Sequence, residues 1–380
     1  MLLIQDNTIR DGMQQKDISK DLSTKRNVIS VISKTRIDSV EIGMCASEAD
    51  IPILKEYASQ LSNYQTAVVL TRMRKEDIDY TYQLFKKQPN VKLKLLVPVS
   101  DLHIEKKLET DKVIYLKRFE RTLQYIKELG LPLDIVLEDC TRSDEKYLFQ
   151  ILEICSRYNP GFVTLADTVG CSIPEEYGAL FKVVKEKDYS FELSAHCHND
   201  LGLATANTLA AVMNGAMQVE TTFLGIGERA GNTAVDEIVA AIISHKIVET
   251  STSLKHIYKA SNEIRDILKF ELSPLKAILG DNVFAHESGI HQDGTIKDER
   301  MYQYLLPSDF SETLQETYSI SGISSSKILK TYFSKYTDDE ALLTKFIEFY
   351  RTTAKITSTI TPEETVELYS ILKGDYYENT

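Results

Sequence analysis

No run of apolar residues in this sequence approaches the ~18 that a membrane-spanning helix requires, so a membrane partner is not expected. A lysine- and arginine-rich stripe is missing as well: 44 basic residues stand against 56 acidic ones, a formal net charge of −12. Nucleic-acid binding needs concentrated positive charge, so no nucleic-acid partner is expected, and a small anionic substrate would have to find its positive charge locally. Cysteine is sparse. The five, at positions 45, 140, 155, 171 and 197, form no CxxC pair and leave an odd number, which suits reduced thiols. The N-terminus, MLLIQDN, has neither a basic region nor a signal-peptide core, so the expected location is the cytoplasm. There is no internal repeat, no low-complexity linker, and no GxGxxG after the first apolar run, which argues against a doubly wound dinucleotide fold.

What is present is a 380-residue chain, 43% hydrophobic and 26% charged, able to bury a sizeable core. Short Val-, Ile- and Leu-rich runs alternate with longer helical patterns: Leu2 to Gln5, Asp38 to Ile42, Thr66 to Leu70, Val91 to Val97, Leu133 to Leu137, Phe162 to Leu165, Phe191 to Ala195 and Met217 to Phe223. Eight strands, each followed by a helical segment, over about 250 residues predict a (β/α)8 TIM barrel. From about Ser253 helical patterns take over, predicting a barrel domain over 1–255, a subdomain over 256–305 that lends residues to the active site, and a helical C-terminal region over 306–380.

In such a barrel the reacting groups come from the C-terminal ends of the strands. Those positions hold Asp6, Arg10 and Asp11 after the first run, then Glu41, Arg72, Ser100 and His103, then Glu138, Asp139 and Arg142, Asp167 and Thr168, His196 and His198, and GIGERAGN ending in Asn232. Polar groups at the end of nearly every strand favour a polar, metal-containing mouth. In His196-Cys197-His198 the histidines, two residues apart at a strand end, point to the same side and form a pincer for one ion, while Cys197 turns to the opposite face. Farther on, His286 and His291 lie in HESGIH; a spacing of five does not place both rings on one helical face, so the HExxH protease reading is discarded.

DNTIRDG at the first strand resembles the signature of the DRE-TIM metallolyase superfamily, which includes isopropylmalate, citramalate and homocitrate synthases, related lyases and a ketoacid aldolase. The resemblance extends through VEIG, EDCTR, LADTVG, HCHNDLGLATAN, GIGERAGN and FAHESGIHQDG, in the family's order. GIGERAGN resembles the form carried by the condensing branch rather than by the lyases. The resemblance implies Asp11, His196, His198 and Asn232 as ligands of a divalent ion, zinc, manganese or magnesium. It implies Arg10 as the group that steadies a developing oxyanion, and His291 with Tyr302 as the helper pair of the condensing enzymes. Glu138, His286 and Glu287 are further acid or base candidates, and Thr168 a substrate contact. The implied reaction is Claisen condensation of acetyl-CoA with a 2-oxo acid, followed by thioester hydrolysis, in a homodimer.

For the acceptor, the short region beyond the shared motifs and VPVSDLHIEKKL are similar to the bacterial homocitrate synthases, with Arg72 and His103 as candidates to meet the distal carboxylate of 2-oxoglutarate. Isopropylmalate or citramalate synthesis is the alternative, and carbon-carbon cleavage a further one. Three departures bear on this choice: Met13 where many members have glutamate, MCASEAD in place of the more usual FP- or SP-containing loop, and YSISGISSSK where isopropylmalate synthases carry a GKHSGR-like segment.

Overall fold

The apolar runs lack a polar face, and parallel strands of that kind are stable only where both faces are covered. In the computed structural model of the protein, which describes residues 1–356 and 360–373, they become eight parallel strands: β1 Leu3–Asp6, β2 Ser39–Met44, β3 Thr66–Arg72, β4 Val91–Pro98, β5 Leu133–Glu138, β6 Phe162–Asp167, β7 Glu192–Cys197 and β8 Ala216–Thr221. β1 pairs with β8 as well as with β2, Leu3 opposite Gln218 and Asp6 opposite Thr221, so the sheet closes into the expected TIM barrel. Each strand is followed by its helix: α1 Leu22–Ile32, α2 Asp50–Gln60, α3 Lys75–Lys87, α4 Lys112–Leu129, α5 Glu145–Tyr158, α6 Pro174–Lys185, α7 Ala204–Met213 and α8 Val235–Ser244, with α9 Leu254–Leu268 beyond. The helices cover the sheet with apolar stripes, such as Leu148, Ile151, Leu152 and Cys155 of α5. Asp21, Asp111 and Asp144 accept N–H groups in the first turns of α1, α4 and α5 and so set where those helices begin.

Two departures from a plain apolar barrel position the site. First, β4 reads Val-Lys-Leu-Lys-Leu-Leu-Val, and alternation puts Lys92, Lys94 and Leu96 on one face. Lys92 reaches Asp134 at 3.1 Å and Lys94 reaches Glu220 at 2.6 Å, both acids being buried. Second, the register of β2 shifts between Glu41 and Gly43. Gly43 has φ 149°, and the extra residue lets Glu41 and Met44, three apart, both face the barrel mouth.

The chain divides into two compact units, Met1–Glu271 and Leu272–Thr380. In the second, β9 Ala285–His286 and β10 Thr317–Tyr318 form a short parallel pair, accompanied by α10 Gly289–Lys297, α11 Pro307–Phe310, α12 Ser326–Phe333, α13 Glu340–Ala354 and α14 Pro362–Lys373. Its core is Leu329, Phe333, Leu343, Phe346, Tyr350 and Tyr369. No helix among the described residues is long and apolar enough to cross a membrane.

Candidate active site and metal centre

The turn after β1 is built by its own polar residues. Asp6 accepts from the Thr8 backbone N–H (3.2 Å) and hydroxyl (2.5 Å), Thr8 Oγ1 accepts from Phe223 N–H at 2.8 Å, and Asn7 O accepts from Asp11 N–H at 2.9 Å. This aims Asp11 at the histidines. Asp11 Oδ2 lies 3.5 Å from His196 Nε2 and 3.8 Å from His198 Nε2, and the two ring nitrogens are 3.3 Å apart. All three residues are buried.

Ligands at 2.0–2.2 Å around a tetrahedral ion sit about 3.4 Å from one another, so these three groups fit a divalent metal. Asn232 adds a fourth candidate, for its Oδ1 is buried without a hydrogen-bond partner. Room for that amide depends on Gly227, where a Cβ would stand 2.7 Å from Asn232 Oδ1. The protonation states also fit. Burial alone would raise the Asp11 carboxyl, but Arg10 and then the two histidines outweigh it and hold it near 2, while burial and the neighbouring His196 bring His198 down to about 4. Metal ligation needs an ionised carboxylate and a neutral imidazole.

Two charged side chains support this cluster: Glu41, expected at the end of the second strand but given no role there, and Glu220, which the sequence reading did not select. Glu41, buried in β2, accepts from Arg10 Nε at 2.8 Å and pairs with Nη2 at 2.7 Å, while Arg10 Nη1 lies 3.3 Å from Asp11. Arg10 is thereby fixed beside the metal ligands and stays charged, because its two acids outweigh the cost of burial. Glu220 of β8 lies behind His196, 3.2 Å from Nδ1, and collects Lys94 Nζ and Thr164 Oγ1 at 2.6 Å each and Asn7 Nδ2 at 2.9 Å. Burial would raise the Glu220 carboxyl, yet Lys94 and then His196 hold it well below the usual range. An ionised Glu220 accepts the His196 Nδ1 proton and turns the Nε2 lone pair toward Asp11 and His198. The two lysines on one face of β4 were the available signal for this network.

The remaining sequence-predicted residues divide. Glu138 and Thr168 line a cavity of about 300 Å³ together with Arg10, Asp11, His196 and His198. Glu138 is held by Lys107 Nζ at 2.7 and 2.8 Å. Thr168 Oγ1 accepts from Asp139 N–H at 2.9 Å, which leaves its own hydrogen to donate. Arg72 and His103 do not line this cavity. Arg72 gives Nε and Nη2 to Asp77, at 2.6 and 3.2 Å, and His103 lies 3.5 Å from Glu138 and 3.7 Å from Asp139.

One side of the cavity wall is apolar, made by Met44, Leu70, Leu96, Val136 and Ala166, which pack together, while Gln14, Lys94, Glu220, Glu228 and Arg229 complete the lining. Cys197 is buried and outside the metal cluster, with burial pushing its thiol up to about 12. In the second unit, His291 and Tyr302 stack with ring centroids 4.1 Å apart; a Cβ at Gly294 would run into the Tyr302 ring. His286 Nε2 is 2.9 Å from Gln303 Nε2, and Glu287 is exposed.

Comparison with known proteins adds the following. The sequence profile of the HMGL-like family matches residues 2–264, and that of the homocitrate synthase post-HMGL domain matches residues 278–329. The 2-isopropylmalate synthase of Geobacillus sp. is 35% identical over 316 residues, covering 81% of this chain and 61% of that protein. That of Dictyoglomus turgidum is 37% identical over 311 residues, covering 80% and 62%. The chain thus spans about three-fifths of the length of these curated relatives. Among solved structures, the HMG-CoA lyase of Bacillus subtilis shares the fold with a TM-score of 0.62 at 17% identity, over 73% of this chain and 96% of that one.

Proposed function

Since this chain belongs to the HMGL-like family, on the branch that carries the homocitrate synthase post-HMGL domain, we propose that it is a metal-dependent acyltransferase condensing acetyl-CoA with a 2-oxo acid of short apolar side chain, in the manner of the 2-isopropylmalate synthases, as a homodimer. The observation that carries the choice of acceptor is the apolar wall of Met44, Leu70, Leu96, Val136 and Ala166 beside the metal cluster. An isopropyl-sized group gains from burial there, whereas a second carboxylate would be desolvated without a free cation. The cations lining the cavity are each engaged: Arg10 by Glu41, Lys94 by Glu220, and Arg229 by Asp200 and the Thr168 carbonyl. For this reason 2-oxoglutarate, the acceptor that the sequence motifs first suggested, ranks below 2-oxoisovalerate.

A divalent ion held by Asp11, His196, His198 and Asn232 would supply Lewis-acid polarisation of the acceptor ketone. Arg10, fixed by Glu41, offers a permanent charge and planar N–H donors to the oxygen that becomes negative on attack. The Thr168 hydroxyl, which lines the cavity, is the proposed donor to the acceptor. His291, with Tyr302 stacked on its ring, is the proposed base for the acetyl methyl proton. The resulting enolate carbon bonds to the ketone carbon, and water then cleaves the thioester to release CoA with a free thiol. Glu138, held by Lys107, is the proposed proton carrier at the cavity wall.

Thiol release from acetyl-CoA, measured with a divalent ion and a panel of acceptors, tests the reading. The expected order is 2-oxoisovalerate above pyruvate by about tenfold, with 2-oxoglutarate slowest. Fastest release with 2-oxoglutarate would return the acceptor to the homocitrate type, and no release with any of the three would sink the synthase reading.

A further inference from the structure

A cavity of about 660 Å³ lies away from the metal cluster, in the groove between the start of α3 and the face of α4 that carries residues 114, 117, 118, 121, 122 and 125. That spacing, with steps of three and four, is one side of a helix, beside the buried stripe of Tyr115, Phe119, Leu123 and Ile126. Half of this groove-facing side is basic, Lys117, Arg118 and Arg121, and Arg74 and Lys75 face it from the start of α3, with Glu76 the one acid among the lining residues. Lys75 is tied to Asp79 at 2.6 Å, and Arg118 donates to the Met73 carbonyl at 2.7 Å. Among the described residues Arg74, Lys117 and Arg121 have no carboxylate partner. The nearest acid in sequence, Glu120, is turned away to Arg157 at 2.9 Å.

Such an arrangement costs stability by itself. Lys117 and Arg121 are four apart on one helix and Arg118 and Arg121 three apart, and like charges at those spacings repel. In a chain of net charge −12, five cations around one concavity are a local reversal of the overall field. A bound anion with several negative charges would relieve the repulsion, and planar guanidiniums suit phosphate in particular. We infer that this groove is a binding site for a small molecule bearing several phosphate groups. Two sources share that chemistry: the phosphates of a CoA thioester, and a separate phosphorylated metabolite acting outside the metal cavity.

Inorganic tripolyphosphate is the probe, titrated calorimetrically into the full chain. Saturable one-to-one binding is expected, with affinity falling by about tenfold or more in Arg74→Glu/Arg121→Glu. Arg121→Glu alone should raise Tm without the probe, and tripolyphosphate should raise the wild-type Tm but not that of the double variant. These exposed positions leave the core untouched, so the thermal readout separates lost binding from lost folding. Acetyl-CoA that displaces the probe, with KM for acetyl-CoA raised in Arg74→Glu/Arg121→Glu at unchanged kcat, would assign the site to the donor's phosphates. Probe binding that acetyl-CoA leaves in place would assign it to a separate metabolite. Absence of saturable binding, or equal affinity in the double variant, would overturn the inference. Because binding is read without turnover, the result stands apart from whether the chain is a synthase.

Discussion

Glu220 shows how a residue behind a candidate ligand can govern the site. Its carboxylate accepts from the His196 ring, so Glu220→Gln would leave His196 free to adopt the other tautomer and would strand Lys94 as a buried cation without its partner. Loss of such a partner typically costs 10- to 100-fold in metal affinity, and breaking a buried pair costs about 3–5 kcal/mol of stability. Both effects are expected together in Glu220→Gln, read by metal titration and urea unfolding. His198→Ala, which removes a direct ligand, should lose bound metal and thiol release but little stability; metal content equal to wild type would refute its assignment. The pincer of His196 and His198 was legible in the sequence because strand alternation is a local fact, while Asp11 joined it through the family resemblance; the structure brings the three together. Glu220 and Lys94 were not: one looks like any acid in a strand, and only closure of the barrel brings them together across 126 positions of sequence.

At the scale of the element, the strands fall within two residues of where apolar runs placed them, and the two-residue differences are all at the C-terminal ends, which line the mouth. Asp6, Arg72, Glu138 and Asp167 are the last residues of their strands rather than the first of their loops, because the ladder continues through their backbones whatever their side chains do. The irregularity in β2 was not legible. A regular strand would point Glu41 and Met44 to opposite faces, and only the register shift at Gly43 lets the first hold Arg10 and the second join the apolar wall. A Cβ on Gly43 would meet Leu54 Cδ2 at 2.9 Å in a backbone conformation that disfavours side chains. Gly43→Val is therefore expected to destabilise the chain by about 1–3 kcal/mol in urea unfolding. It should also narrow the preference for 2-oxoisovalerate over 2-oxoglutarate, since Met44 moves with the strand. Unchanged stability and unchanged preference would show that β2 can close without the bulge.

For the whole molecule, the count of eight strands was enough to read a closed barrel, since each apolar run must be covered on both faces and a ring of helices does this without a free edge. The cavity wall was harder to read, because it is made by side chains from β2, β3, β4, β5 and β6 that meet only at the mouth. Motif similarity reports the ligands, which are local, better than the wall, which is not. The separate cores of the two units have a thermodynamic consequence. Metal held by Asp11, His196 and His198 would stabilise the barrel by mass action, about 2.7 kcal/mol at a free concentration one hundred times Kd. Phe333 is fully buried in the core of the second unit, where Phe333→Ala should cost about 3–5 kcal/mol. Calorimetry of the full chain is expected to show two transitions, one raised by divalent ion and lowered by chelator, the other lowered by Phe333→Ala and indifferent to metal. In His198→Ala the first should lose its response to the ion while the second stays where it was. A single transition shifted by both metal and Phe333→Ala would mean that the two cores unfold as one cooperative block.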